Sequence, residues 1–320
     1  MSETARMLEE TAARILERNA QAPILRNAIL EAGLLLALAG EDAGGLGVSY
    51  REASAIAYRW GQAAAPLPIV EMLVAAPLAV LAGFDATAAT YSAGLGVNDL
   101  LPSSVPVFDE AQTAFVVTLE TSGANLHTGT IGGAAAESLA HEPMAALGAS
   151  RKIDADPVAV ERIAVGGILL QAAEMLGAMS TVIDIATDHA NTRQQFGRPL
   201  GKFQAIQHML SDAASERLIA EAAVGAALAG IDRGTATRLD WLAAKAQAAR
   251  AATVIAANAH QVMGAIGFTD EHHLHRFTKR LWAWRDRWGA QGWCEAEIGR
   301  IGCAAGGDGL WSAIVDRAAA

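Results

Sequence analysis

Residues 157–192 read PVAVERIAVGGILLQAAEMLGAMSTVIDIATDHANT, and this stretch decides the fold. Its apolar middle is bounded by Glu161, Arg162 and Asp184 and is interrupted by Glu174. A membrane span needs about 18 to 20 predominantly apolar residues without such charges, so we predict one long helix of a cytoplasmic protein. The amphipathic N-terminus, MSETARMLEETAARILERNA, lacks the apolar core of a signal peptide and agrees with this prediction.

Further helical patterns follow this stretch at 202–230, 236–264 and 270–288, joined by short links. Four long helices with short links are typical of an antiparallel bundle, which we predict over residues 151–320. For the last helix, Thr269 or Asp270 is the predicted N-cap and Gly289 the predicted stop.

The residues before the bundle change character twice. Residues 1–92 show helical spacing, and Ser49 with Glu52 three positions later is a capping-box pattern. Residues 93–150 contain two alternating stretches, SVPVFDE at 104–110 and AFVVTLE at 114–120. We predict a strand from each, the first at a sheet edge because of Pro106, and about four short strands in all. The predicted fold is mainly α: an N-terminal helical domain, a reduced middle β domain and a C-terminal four-helix bundle.

Composition excludes several classes of function. The 320 residues are 52% hydrophobic and 18% charged, with a net charge of -10, which disfavours a nucleic-acid partner. The two cysteines, Cys294 and Cys303, have neither metal-ligand spacing nor the number needed for a disulfide framework. Metal binding is not expected either, because a cluster at i, i+1 and i+3 would not converge on one helix face. That cluster comprises His272, His273 and His275, with Glu271 beside it.

Two motifs resemble those of the acyl-CoA dehydrogenase family. RQQFGRPLGKFQAIQHMLSDAA at 193–214 is similar to the family's Arg-x-x-Phe-Gly…Phe-Gln pattern, and QVMGAIGFTDEHHLHRFTKR at 261–280 to its Gln-x-x-Gly-Gly-x-Gly pattern. EAGLLLALAGEDAGGLGV at 31–48 resembles an N-terminal family segment with paired glycines. The order of helical domain, β domain and bundle is that of the family.

The resemblance implies FAD as cofactor. In the family, the Arg and Phe of the first motif reach across a subunit interface to the FAD of the neighbouring subunit, where the Arg meets the pyrophosphate with charge-assisted bonds. Gly197 is expected to end the preceding helix, and Ala265 replaces the second glycine of the other motif. The alternative interpretation is a solvated Arg193 and a Phe196 that is plain core. The implied cofactor-binding residues are Arg193, Phe196, Gln204, Gln261 and Gly264.

The catalytic base of the family is not found. The resemblance places that glutamate at Trp288, or at Gly289 with a one-residue gap, and in some members near Gly167. None of these three residues can take a proton, so we predict no catalytic residue in this chain. Asp286, Glu295 and Glu174 are the carboxylates near these positions in the sequence.

The β domain also lacks the family loops that hold the flavin ring and the thioester. The stretch most similar to these loops is TLETSGAN at 118–125, which has Glu120 and Thr121 but no proline. The bundle adds an aromatic cluster that we interpret as core or subunit interface, or as filling a vacated acyl pocket. This cluster comprises Trp282, Trp284, Trp288 and Trp293.

The resemblance therefore implies a non-catalytic subunit of a heteromeric acyl-CoA dehydrogenase that shares FAD with a full-length partner subunit, as a heterodimer or an α2β2 heterotetramer. The partner would supply the base and most of the acyl-CoA site, and such compact subunits point to steroid-CoA esters. No nucleic-acid or membrane partner is expected. Two alternatives stay open: a self-sufficient dehydrogenase with a relocated base, and a flavin-free assembly protein on the same scaffold.

Overall fold

The N-terminal region is helical, as predicted. The computed structural model describes residues 2–18, 22–87, 91–98, 100–107, 111–120, 123–132 and 136–315. The first helices are α1 (Glu3–Arg18), α2 (Ala22–Glu31), α3 (Tyr50–Ala63) and α4 (Ile69–Leu81). The capping box is confirmed, since the Ser49 hydroxyl accepts from the backbone N–H of Glu52 at 3.2 Å and the Glu52 carboxylate accepts from that of Ser49 at 3.1 Å.

The middle region is a mixed sheet with more strands than predicted. The described strands are β1 (Tyr91–Val97), β2 (Ser104–Pro106), β3 (Thr113–Glu120), β4 (Gly123–Ile131), β5 (Ala136–Glu137) and β6 (Pro143–Ile153). They pair in the order β1-β3-β4-β6-β2, with β5 also on β6. The pairing of β1 with β3 is parallel, and the other pairings are antiparallel.

Both strands predicted from alternation are present, and β2 lies at an edge, where its Pro106 removes no ladder bond from a central strand. The prediction of about four strands between 95 and 146 was wrong because β1, β5 and β6 lack clean alternation. Strands run from Tyr91 to Ile153, whereas the sequence placed the boundaries of this region at 93 and 150. Phe108 and Thr121 lie outside the described residues.

The C-terminal region contains the predicted helices and one more. They are α5 (Pro157–Thr192), α6 (Gln204–Arg233), α7 (Arg238–Met263), α8 (Leu274–Asp286) and α9 (Gln291–Val315), which is kinked at Gly306. A small hairpin, β7 (Gln194–Gln195) and β8 (Arg198–Pro199), joins α5 to α6. The unpredicted α9 is rich in glycine beyond residue 298 and lacks a capping signal, so its sequence argues weakly for a helix.

The predicted start of α8 was wrong. The helix begins at Leu274, and no side chain caps its N-terminus at His273. Thr269 instead ends the short 3₁₀ helix Gly264–Phe268, and its hydroxyl donates to the carbonyl of Ile266 at 3.0 Å. Gly289 does follow the helix, with φ 96° in the turn between α8 and α9.

Helix α5 is the centre of the molecule. Among the described helices, it alone is long and apolar enough to cross a membrane by length and composition, but 94% of its most apolar window is buried inside the protein. One hydrophobic core surrounds it and includes residues of the N-terminal helices, the sheet and the bundle. Such burial is that of the core helix of a globular fold.

Helices α3 and α5 touch backbone to backbone. A Cβ at Gly177 of α5 would lie 1.9 Å from the carbonyl oxygen of Tyr58, and one at Gly61 of α3 would lie 1.8 Å from that of Glu174. A second tie joins the N-terminal region to the bundle, because the Asp232 carboxylate at the end of α6 accepts from the backbone N–H of Tyr50 at 2.9 Å. The N-terminal helices are thus fixed to α5 and α6.

The contact between α3 and α5 predicts a strong effect of one methyl group. Gly177→Ala should lower the free energy of unfolding by about 1–3 kcal/mol or more, because backbone, unlike a flexible side chain, cannot move aside. Gly225→Ala on α6 is the matched control, since a Cβ there meets nothing within 4 Å. It should raise the stability by about 0.5–1 kcal/mol through helix propensity alone. Urea denaturation followed by circular dichroism measures both, and equal effects of the two variants would contradict the close approach.

Candidate functional site

The first family-like motif forms an exposed hairpin after α5. Arg193 is the C-cap of α5, is exposed, and has no ion-pair partner within the described ranges. Phe196 and Gly197 form the turn between β7 and β8, with φ 52° and 79°. Two central residues with positive φ are the requirement of a type I′ hairpin turn. Gly197 therefore makes this turn, and the prediction that it ends the helix was wrong.

Phe196 is not core, so the alternative interpretation was wrong for Phe196, whereas the exposed Arg193 agrees with it. Its side chain is 88% exposed. Its ring meets that of Phe203 edge to face, with centroids 6.0 Å apart, and the Arg198 guanidinium lies 4.1 Å from the Phe203 centroid. A bulky side chain at positive φ is rare and costs about 1–3 kcal/mol. The hairpin thus holds an aromatic ring outward at an energetic cost.

The second motif lies at the same end of the bundle. Gln261 is exposed in the last turn of α7, and Gly264 follows it with φ 64° and open space around any added Cβ. The Asn258 amide, one turn before Gln261, donates to the Met209 carbonyl near the start of α6 at 3.0 Å. Gln204, the first residue of α6, is exposed there as well. Both motifs therefore lie at one end of the bundle, although they are about seventy residues apart in sequence.

Two of the three histidines after Gly264 lie outside the helix, and His275 lies in its first turn. His272 and His273 precede α8, so the helical-spacing argument against a metal was based on a wrong start of the helix. The rings of these two histidines stack with centroids 4.6 Å apart. His275 Nε2 lies 3.8 Å from an Asp270 carboxylate oxygen. Among the described residues, no group of three or more potential metal ligands is found.

The positions where the resemblance places a catalytic base meet in space, and an indole fills them. A Cβ at Gly167 would lie 2.6 Å from Cζ3 of Trp288. Trp288 is only 3% exposed and has φ 55°, and Gly289 follows it with φ 96°. The turn between α8 and α9 thereby directs the Trp288 ring against the backbone of α5. No carboxylate stands at any of these three positions.

Buried carboxylates hold this tryptophan and its neighbour. The Trp288 indole N–H donates to Glu71 on α4 at 3.0 Å, and the Trp284 indole N–H donates to Glu142 at 2.9 Å. The Arg287 guanidinium joins the two acids, 2.5 Å from Glu142 and 3.7 Å from Glu71. Each indole donor thus has a charged acceptor, which offsets part of the cost of burying the acids.

The three buried acids near this turn have different proton affinities. Burial alone would raise the pKa of Glu142, but Arg287 and Arg280 outweigh it and hold the pKa below its ordinary value. Burial raises the pKa of Glu71, although Arg287 opposes the shift. Burial also raises the pKa of Glu174 well above its ordinary value, with the charges of Glu71 and Glu142 adding to the effect.

Lys245 of α7 fixes the same turn from the other side. Its ammonium group donates to the carbonyl oxygens of Trp284 at 3.1 Å and Arg287 at 2.7 Å at the end of α8, and the Trp284 carbonyl also accepts the Arg287 N–H at 3.2 Å. Burial lowers the pKa of Lys245 to about 8. The geometry of the turn is therefore set by α4, α5 and α7 together.

The candidate substitutes for the base are either buried or paired with other side chains. Glu174 is 2% exposed and accepts a hydrogen bond from Gln171 at 2.7 Å. Glu295 is exposed on α9 and accepts from Gln291 at 2.7 Å. Asp286 is exposed and lies 3.5 Å from Arg285. Glu120, which the sequence offered as a remnant of a flavin loop and not as a base, lies at the β3–β4 hairpin, where its carbonyl accepts from Arg238 at 2.8 Å.

Among the described residues, no ring contact joins two of the four tryptophans. Trp284 and Trp288 are buried on carboxylates, whereas Trp282 stacks on His260 at 5.6 Å and Trp293 on Trp241 at 6.2 Å.

Sequence reasoning missed Glu71, Glu142, Arg280 and Arg287. The available signal was Glu71 itself, a lone acid in the apolar stretch PIVEMLVAAPL, because a buried acid needs a partner.

Comparison with known proteins agrees with the resemblance. The sequence profile of the acyl-CoA dehydrogenase C-terminal domain matches residues 157–285. The acyl-CoA dehydrogenase IpdE2 of Mycobacterium tuberculosis is 27% identical over 310 residues, which cover 87% of this chain and 91% of that protein. IpdE2 of Mycolicibacterium smegmatis is 34% identical over 112 residues, 35% of this chain and 34% of that protein.

Solved structures share the fold along nearly the whole chain. A variant of the steroid acyl-CoA dehydrogenase Tcur3481–Tcur3483 superimposes with a TM-score of 0.79 at 22% identity, covering 93% of this chain and 97% of that chain. The ChsE4–ChsE5 complex from Mycobacterium tuberculosis gives a TM-score of 0.77 at 20% identity, covering 94% and 97%. The predicted fold class is thus confirmed.

The raised pKa of Glu174 predicts a pH-dependent effect of its removal. A carboxyl whose folded pKa is raised stabilises the fold at low pH, and its contribution is lost as pH rises above its unfolded value near 4.5. Glu174→Gln stays neutral throughout, so its stability relative to the native chain should rise between pH 5 and pH 8. Glu295→Gln, at an exposed site, should show no such trend. Urea denaturation at several pH values measures both, and parallel profiles for Glu174→Gln and the native chain would refute a protonated Glu174.

Proposed function

We propose that this chain, which belongs to the acyl-CoA dehydrogenase family, is the non-catalytic subunit of a heteromeric FAD-dependent enzyme. The family is one of oxidoreductases that act on acyl-CoA thioesters. In this proposal a full-length partner subunit supplies the base, the flavin cradle and most of the acyl-CoA site. The present chain supplies contacts to the adenosine and pyrophosphate end of the partner's FAD, together with the subunit interface.

One observation carries the non-catalytic assignment. Trp288 occupies the space beside Gly167, so both positions for the family base are filled by one buried indole. A general base must come within hydrogen-bond distance of the proton it removes, and a carboxylate cannot reach a substrate through that ring. Glu71 accepts the N–H of this indole at 3.0 Å and so holds the ring in the position of the base.

The surface around Arg193 fits the pyrophosphate and adenosine end of FAD. A guanidinium at a helix end, without an ion-pair partner within the described residues, is suited to bidentate bonds with a dianionic pyrophosphate. Phe196 offers an exposed aromatic face, and the Gln261 amide can both donate and accept. At Gly264 the space around Cα is open, so a ligand can approach the backbone closely. Bound FAD supplies the acceptor for the hydride leaving the acyl β-carbon.

The relatives support the existence of a partner. Tcur3481–Tcur3483 and ChsE4–ChsE5 are two-component proteins, and the former is a steroid acyl-CoA dehydrogenase. We extend both features to this chain, with a steroid-CoA ester as the substrate class. Two full-length subunits and two copies of this chain would give an α2β2 heterotetramer, because closed assemblies repeat each contact by symmetry.

Arg193→Ala should weaken FAD binding by the purified complex. Loss of a charge-assisted bond costs about 1.5–3 kcal/mol, roughly a ten- to hundredfold lower affinity. Arg233→Ala is the control, because Arg233 is exposed at the opposite end of α6. Flavin fluorescence on titration of the deflavinated complex measures the affinity, and circular dichroism checks the fold. An unchanged affinity for Arg193→Ala would disprove the cofactor contact.

The flavin content of the complex should be about one FAD per heterodimer. Each pair offers one complete site, with the cradle from the partner and Arg193, Phe196 and Gln261 from this chain. Expressed alone, the chain should be colourless and inactive. Absorbance of flavin against protein mass, on the chain alone and on the complex, gives the count.

Each other count points to a different function. Two FAD per heterodimer, or a yellow and active chain without a partner, would favour a self-sufficient enzyme with a relocated base. A colourless complex that tolerates Arg193→Ala would favour a flavin-free assembly protein. Either result would overturn the proposal.

A further inference from the structure

A second candidate site lies away from the Arg193 surface, between the sheet and the turn that joins α8 to α9. It is a cleft of about 540 Å³, within the usual range of small-molecule sites. The floor includes Glu71 and Trp288, and the sheet side includes Ser104. The cleft is defined by these residues together with Trp282, Trp293 and Ser138.

The walls of the cleft are rigid and aromatic. Trp282 is stacked on His260 at an interplanar angle of 16°, and Trp293 on Trp241 at 28°. Trp288 is fixed by its bond to Glu71. Indoles that are already held by stacked rings lose little conformational entropy when a flat molecule packs against them.

Two buried polar atoms at the cleft lack partners. Oε2 of Glu71 and the indole N–H of Trp293 make no hydrogen bond with any described residue. Glu71 is 1% exposed, so its free oxygen carries a desolvation cost that a ligand donor would relieve. A hydroxyl group can donate to the one and accept from the other.

The charges lining the cleft balance. Arg285 and Arg287 are opposed by Glu71 and Asp286, all of which line it. A ligand with net charge would find no compensating excess of the opposite sign, and its desolvation would be uncompensated.

From these observations we propose that the cleft binds an uncharged, flat, fused-ring molecule through a hydroxyl group that hydrogen-bonds to Glu71. The inference stands independently of FAD binding at the Arg193 surface. It assigns a ligand site to the region where Trp288 has closed off the position of the base.

Comparing 2-naphthol with 2-methoxynaphthalene tests the contribution of the hydroxyl group to binding, because only the first compound can donate a hydrogen bond. Isothermal titration calorimetry on the full chain should show 2-naphthol binding at least about tenfold more tightly, since only it can donate to the carboxylate. In Glu71→Gln the amide oxygen would accept from Trp288 and the amide nitrogen would replace Oε2. An acceptor site thus becomes a donor site, and the preference for 2-naphthol should fall to about one or reverse.

Two serine variants locate the site. Ser104→Phe should block the cleft and abolish binding of both probes without touching Glu71. Ser54→Phe is the control, because Ser54 lines a separate cleft of about 630 Å³ next to α1 and α6. It should leave both affinities unchanged. Thermal melting followed by circular dichroism shows whether each variant folds. If Glu71→Gln does not fold, the result for Ser104→Phe decides whether the cleft binds the probes.

Several results would overturn the proposal. They are equal affinity of the native chain for the two probes, no binding up to the solubility limit of 2-naphthol, and full binding by Ser104→Phe. Displacement of 2-naphthol by riboflavin at equal concentration would also overturn it, because the cleft would then be a flavin seat.

Discussion

The fold depends on how closely other elements approach the backbone of α5. At Gly177 the backbone of α3 lies where an alanine would have its methyl group. At Gly167, ten residues earlier in α5, the indole of Trp288 lies in the corresponding place. The first contact attaches the N-terminal helices, and the second closes the position where the family has its base. One helix therefore carries the architecture and, in the proposed function, the position from which the base is missing, and glycine is the residue that permits each approach.

The Trp288 ring that fills the position of the base brings polar groups into the core, and each of them needs a hydrogen-bond or ion-pair partner there. An indole N–H without an acceptor would be costly in the core, and Glu71 removes that cost while itself requiring Arg287. Arg287 in turn meets Glu142, which receives the indole N–H of Trp284. Removing one member of such a chain leaves a buried charge alone, which destabilises more than the pair contributes. The turn between α8 and α9 is consequently held by contacts from α4 and α7.

Local signals in the sequence identified the parts of the structure that local physics determines. The bounds of α5, the Ser49 capping box and the edge position of β2 were predicted because each depends on neighbouring residues. The two motifs and the family were identified for the same reason. The link between Glu71 and Trp288 joins residues 217 positions apart, and no periodicity reports such a contact. Helix α9 was missed because its glycines oppose helix propensity, which its packing against α7 overrides through Trp241 and Trp293.

Two aromatic residues, Phe196 and Trp288, share an unfavourable backbone conformation, but one is exposed and the other is buried. Phe196 at φ 52° is 88% exposed, and Trp288 at φ 55° is 3% exposed. Each position would be easier for glycine or asparagine, so each ring is retained at a cost in stability. For Trp288 the burial of its ring and the hydrogen bond of its indole N–H to Glu71 offset this cost. For Phe196 no comparable benefit is found among the described residues, where its only ring contact is with Phe203. A strained, outward-facing ring is explained when it is covered by another molecule, and this is the physical reason for the proposal that the hairpin lies at a subunit interface that also borders the cofactor.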